Sequence, residues 1–159
     1  MKKKEMFSSE GKVATKMAFI EDGAFHYYYD NDGDLITTFI SLEYNLITSI
    51  SSFISGMPST ENIQAITDST IAVISKESIN QLRKDIPRFQ VFYIEAIERQ
   101  VVCLDTSRLE LLTLTSEQRY LRLLELHPQI LQRIPLKLLA TTLGMTTRHL
   151  TRIRKSIIQ

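Results

Sequence analysis

Thr147, Arg148, Thr151 and Arg152 are spaced so that one helix carries all four on a single side, away from Leu150 and Ile153. Their chemistry is that of nucleic-acid recognition. A guanidinium forks onto guanine O6 and N7 in the major groove, and a threonine hydroxyl reaches base edges or phosphate. Lys137, Arg154 and Lys155 lie in the same segment and suit phosphate contacts. From Arg133 to the end there are six basic residues and no Asp or Glu, so this tail carries +6 and the rest of the chain −5. The overall charge of +1 conceals that polarity.

These residues need two short helices to hold them. Pro135 has a φ already set for a first helical turn, so a helix is expected to open there. Leu138, Leu139 and Leu143 share one face, and Gly144 suits the left-handed residue that ends a helix. Thr146 or Thr147 can cap a second helix, on which Leu150, Ile153 and Ile157 recur at helical steps. Two helices around a Gly turn form the sequence signature of a helix-turn-helix. A basic hairpin that only caps a core is the alternative. Cap, turn, apolar stripe and charge asymmetry occurring together favour double-stranded DNA as the partner.

Composition narrows the remaining classes. With 159 residues the chain can form one sizeable domain or two small ones on a shared spine. No apolar run approaches the ~20 residues of a membrane helix, and Lys2 to Lys4 lead into polar sequence with no signal-like core. The lone Cys103 excludes a disulfide framework or a Cys-only metal or iron–sulfur cage within one chain. A cytoplasmic location without membrane contact follows. The acidic loop Asp30 to Asp34 lacks the twelve-residue pattern of a calcium site, and no metal or cofactor is expected. Glu43 and Asp105 could be imagined as an acid/base pair. No nucleophile motif, metal spacing or phosphate-cradling Gly loop supports them, so no catalytic residue is assigned and the protein is read as no enzyme.

In chain order, residues 1–86 read as an antiparallel β-roll, 87–113 as a long dimerisation helix and 114–159 as the helix-turn-helix unit, an α+β architecture. Lys16 to Ile20 and Ala24 to Tyr29 are strands around a hairpin-like turn at Glu21-Asp22-Gly23. Phe25, Tyr27 and Tyr29 alternate with Ala24, His26 and Tyr28, and Asp32-Gly33 suits a tight hairpin before Leu35 to Ile40. Glu43 to Met57 is ambiguous, with a short helix ending at Gly56 as one solution. Ile63 to Ile66 and Ser69 to Ile74 follow as strands, then a helix from Lys76 capped by Ser75. From Pro87 to Leu112 a heptad seam of Ile94, Ile97, Val101, Leu104 and Leu111 offers a surface for a second copy, the alternative being a single buried helix in a monomer. A second set, Phe89, Phe92, Val102 and Leu109, would pack on the roll. Thr115 to Gln118 matches a capping box opening another helix, and Gln129 to Arg133 is a short link.

This succession resembles the cyclic-AMP receptor protein/Fnr superfamily of bacterial transcription regulators. The segments that carry it are FIEDGAFHYYYDNDGDLITTF, AITDSTIAVISKESINQL and IPLKLLATTLGMTTRHLTRIRKSI. The resemblance implies a cyclic-nucleotide-binding-like roll, a homodimer through the long helix, recognition helices in successive major grooves, and RNA polymerase as a further partner. It puts base reading on Thr147, Arg148 and Arg152, and backbone contact on Thr146 and His149. It places the effector pocket at Thr48, Ser49, Ser59 and Thr60, with Leu104 and Asp105 where the long helix reaches the base.

That pocket departs from the family. The Glu that takes the ribose hydroxyl and the Arg-Ser pair that takes the phosphate align with Thr48-Ser49-Ile50 and Ser59-Thr60. Losing the Arg removes a charge-assisted contact of about 1.5–3 kcal/mol. No ordinary cyclic-AMP response is expected, and the sequence names no other effector. The N-terminus is shorter than the family's by a helix and up to one strand, and the link before the helix-turn-helix is too brief for a full β-wing. The expected function is a sequence-specific, homodimeric DNA-binding regulator. The alternative is a ligand-sensing or protein-interaction module that does not use DNA.

Overall fold

Asp32 and Gly33 both have left-handed backbones (φ 53° and 89°), which lets two residues join β3 (Phe25–Asn31) to β4 (Asp34–Ser41) as a tight hairpin. Gly33 N donates to Asp30 Oδ1 at 2.8 Å and fixes the turn. The computed structural model describes residues 1–157, with side chains to Ser156. The hairpin belongs to a four-stranded antiparallel sheet ordered β1-β6-β3-β4, with β1 at Met6–Ser8 and β6 at Asn62–Ala65. A second sheet is ordered β5-β2-β7, with β2 at Lys16–Asp22, β5 at Leu46–Ile47 and β7 at Thr70–Ser75. The two sheets enclose Phe7, Ala18, Ile20, Phe25, Tyr27, Ile47 and Ile63.

The expected hairpin at Glu21-Asp22-Gly23 is a corner instead, because β2 and β3 lie in different sheets. Gly23 (φ 112°) is required there: a Cβ would come within 2.1 Å of Ser69 Oγ. Strand β1 was not visible in sequence, being three residues long among polar neighbours. The ambiguous stretch divides into β5 and helix α1 (Ile50–Ser55), which Gly56 terminates with φ 75°.

Helix α2 (Lys76–Asp85) is capped by Ser75, whose Oγ accepts from Ser78 N at 3.1 Å. Helix α3 (Pro87–Thr113) follows and buries none of its residues within the chain. Its inner face places Phe89, Tyr93 and Ile97 against Ala14, Met17, Phe53 and Ile79. Of the second apolar set only Phe89 packs on the roll; Phe92, Val102 and Leu109 face solvent because they lie on other sides of the helix.

Helix α4 (Ser116–Leu126) opens on the anticipated capping box. Gln118 N donates to Thr115 Oγ1 (3.2 Å), and Thr115 N donates to Gln118 Oε1 (2.8 Å). The supposed link from Gln129 to Arg133 contains a short helix, α5 (Ile130–Arg133). Helix α6 (Leu136–Thr142) starts one residue later than expected, with extended Pro135 as its cap, and α7 spans Thr147–Ile157. A third core unites Tyr120, Ile130, Ile134, Leu139, Leu143, Leu150 and Ile153 with Ala24 and Ile66 of the roll. The C-terminal helices therefore rest on the outer face of the four-stranded sheet. That explains why both faces of β3 are buried at its start.

Candidate nucleic-acid interface and effector pocket

Leu150 and Ile153 are buried and seat α7, leaving Thr147, Arg148, Thr151, Arg152 and Lys155 exposed. Ile157, expected on the same stripe, has its side chain outside the described residues. Gly144 (φ 66°) makes the turn, and a Cβ there would press on the Arg119 guanidinium at 3.3 Å. Thr146 Oγ1 accepts from His149 N at 3.2 Å, so this hydroxyl holds the first turn of α7. His149 is half-buried and Lys137 is exposed on α6. Thr151 Oγ1 donates to Thr147 O at 2.8 Å.

Arg148 and Arg152 form no ion pair or side-chain hydrogen bond among the described residues. Arg154, expected on phosphate, is half-buried, with its guanidinium charge close enough to be felt by the Tyr120 phenol. Burial pushes the Tyr120 phenol up, against the pull of that guanidinium.

Two arginines that sequence reasoning left without a role position these helices. Arg119 Nε and Nη2 donate to Leu143 O at 3.0 and 2.7 Å, and its Nη1 donates to Leu114 O at 2.5 Å. One guanidinium thus joins the end of α3 to the carbonyl that closes α6. Arg133 forks onto Glu43 in the roll, with Nη1 donating to Oε2 at 2.9 Å and Nη2 to Oε1. Gly23 N also donates to Glu43 Oε1 at 2.8 Å. Hydrogen bonding from Arg133 chiefly lowers the Glu43 carboxyl to about 2. Sequence could have hinted at Arg119, which lies one turn into a capped helix, but not at its carbonyl partners.

On α3, Ile94, Val101, Leu104 and Leu111 are exposed along one side; Ile97 is half-buried because it also packs on the roll.

The pocket residues come together only in part. Ser49 and Ser59 are buried with their Oγ atoms 3.0 Å apart, and Thr48 Oγ1 donates to Lys16 O at 3.0 Å. Thr60 is exposed. Leu104 and Asp105 do not line the pocket within the chain: both are exposed, and Asp105 pairs with Arg108 one turn along α3 at 3.0 Å. Glu61, not singled out in sequence, joins the cluster, with Ser49 Oγ donating to its Oε1 at 3.0 Å. Glu61 N donates to Ser59 Oγ at 3.1 Å. Buried Tyr27 lies beside it, its hydroxyl raised by desolvation first and by the Glu61 charge second.

Residues 1–85 match the family model described as the cyclic nucleotide-binding domain. The chain belongs to the cyclic nucleotide-binding domain family. A search of curated proteins finds no match. Among solved structures, FixK2 from Bradyrhizobium japonicum superposes with TM-score 0.82 at 15% identity, covering 98% of this chain and 81% of that one. The c-di-GMP-responsive global regulator CLP from Xanthomonas campestris gives 0.71 at 16%, covering 99% and 84%. A structure from Eubacterium rectale, assigned to the crp/fnr family of transcriptional regulators, gives 0.74 at 16%, covering 98% and 75%. At these identities the likeness is one of fold, and that fold is the Crp/Fnr one. It extends beyond the nucleotide-binding family's own roll, through α3 and the C-terminal helices. Among the described residues no helix is long and apolar enough to cross a membrane.

Proposed function

We propose that the protein is a sequence-specific DNA-binding transcription regulator acting as a homodimer. The observation that carries this reading is the outer face of α7: Arg148 and Arg152 project beside Thr147 and Thr151 with no carboxylate among the described residues engaging them, while Leu150 and Ile153 anchor the helix beneath. On this reading α6 and α7 are a helix-turn-helix, Arg148 and Arg152 read bases, and Lys137 and Lys155 hold phosphate. The uncovered stripe of Ile94, Val101, Leu104 and Leu111 pairs two copies along α3, so that two α7 helices meet half-sites about one helical turn apart.

Selecting bound sequences from a random DNA pool tests both parts. The expected product is a two-fold symmetric motif, retained as a two-to-one complex in gel shifts. Recovery of no enriched sequence, with no retention on DNA at low salt, would overturn the reading and favour a module that does not use DNA.

A further inference from the structure

We propose that the roll fills its own phosphate position with the Glu61 carboxylate and thereby excludes cyclic mononucleotides and cyclic dinucleotides alike. The inference deepens the proposed function, resting on the roll being its regulatory half, and concerns what that half can sense. Ser59 stands where the resemblance puts the phosphate-binding Arg, and it is buried against Ser49. Both hydroxyls are already committed. Ser49 Oγ donates to Glu61 Oε1 (3.0 Å), and Ser59 Oγ donates to Glu61 O (2.7 Å) while accepting from Glu61 N (3.1 Å). A single residue, two positions along from Ser59, thus takes the donors a phosphate would need.

The charge is of the wrong sign as well. Among the described residues no Lys, Arg or His pairs with Glu61, so an entering phosphodiester would meet a carboxylate and no cation. The neighbourhood disfavours negative charge even on its own side chain: burial raises the Glu61 carboxyl, and the Ser49 hydrogen bond offsets this only in part.

The test is thermal melting of the full chain with cyclic AMP, cyclic GMP and cyclic di-GMP as probes, each sample also assayed for DNA binding. Wild type is expected to show no concentration-dependent shift with any of them; a saturable shift overturns the proposal. Ser59→Arg alone is expected to gain little, because the new guanidinium pairs with Glu61. Ser59→Arg with Glu61→Gln is expected to bind at least about tenfold more tightly than Ser59→Arg, in line with a freed charge-assisted contact. Equal binding by the two variants, or none by either when both still melt cooperatively, removes Glu61 as the excluding group. Should the arginine variants not fold, the wild-type titration alone decides: a saturable shift with any of the three probes overturns the proposal. DNA binding by wild type is scored separately, so the regulator reading stands or falls on its own.

Discussion

On the inner side of the C-terminal helices Arg119 and Arg133 reach carbonyls and a carboxylate; on the outer side Arg148 and Arg152 reach no partner among the described residues. The residue type is the same and the surroundings decide its use. A guanidinium with its fork satisfied inside the chain is a strut. One left hydrated on a firmly seated helix is free to exchange water for phosphate or a base edge. The tail's +6 therefore overstates what can meet DNA, since Arg133 is neutralised by Glu43 and Arg154 is half-buried.

The sharpest way to break this contrast is to remove the seat. Leu150→Ala empties a fully buried site and is expected to lower stability by about 2–5 kcal/mol, abolishing DNA binding through loss of α7. Denaturant unfolding and gel shift together check it; lost binding with unchanged stability would contradict the role of Leu150 as anchor.

Arg119→Ala comes next. It orphans the Leu143 and Leu114 carbonyls, and about 1.5–3 kcal/mol of stability should go with them. Lys at this position should rescue only part, because an ammonium lacks the fork that spans both carbonyls. Full rescue by Lys would show that charge alone matters.

The outer side should behave oppositely. Arg148→Ala and Arg152→Ala are each expected to weaken specific DNA binding by about 1–3 kcal/mol and relax preference at one position, with the melting temperature unchanged. Lys155→Ala should weaken binding evenly across sequences and reduce the salt slope by about one. A melting temperature that falls with either arginine change would move that residue to the inner class.

The smallest effect concerns pH. Glu43 has a folded carboxyl near 2 against an ordinary value of 4.5, so its contribution is fully present above 4.5 and is lost as pH falls from there toward 2. The pair is partly exposed, and solvent screening should hold that contribution to about 1 kcal/mol. Glu43→Gln should erase that part of the acid sensitivity, read as the difference between acid unfolding curves. Superimposable curves would leave the Arg133 fork without energetic weight.

Much of this was legible in the sequence because it depends on local patterns. The Asp32-Gly33 hairpin, the Thr115–Gln118 capping box, the Ser75 cap and the Gly144 turn are each set by a few adjacent residues, and each stands where the spacing put it. Pairings over long separations were not legible. Glu43 with Arg133, Ala24 and Ile66 under the C-terminal helices, and the corner at Gly23 depend on which sheet face receives which helix, and no short window encodes that. Glu61 was hidden for a further reason. Comparison with the family's pocket draws attention to missing charges at Ser49 and Ser59, and not to a new one beside them.

The docking of the C-terminal helices on the four-stranded sheet also bears on synthesis. A ribosome delivers the roll first, and until residues beyond about position 130 emerge, Ala24, Ile40, Leu42 and Ile66 lack the neighbours that cover them. The nascent chain thus displays a sticky apolar platform for the time needed to translate its last helices, when chaperone capture or coaggregation competes with completion. Chains that stall before Ile134 should partition to the insoluble fraction more than full-length ones do.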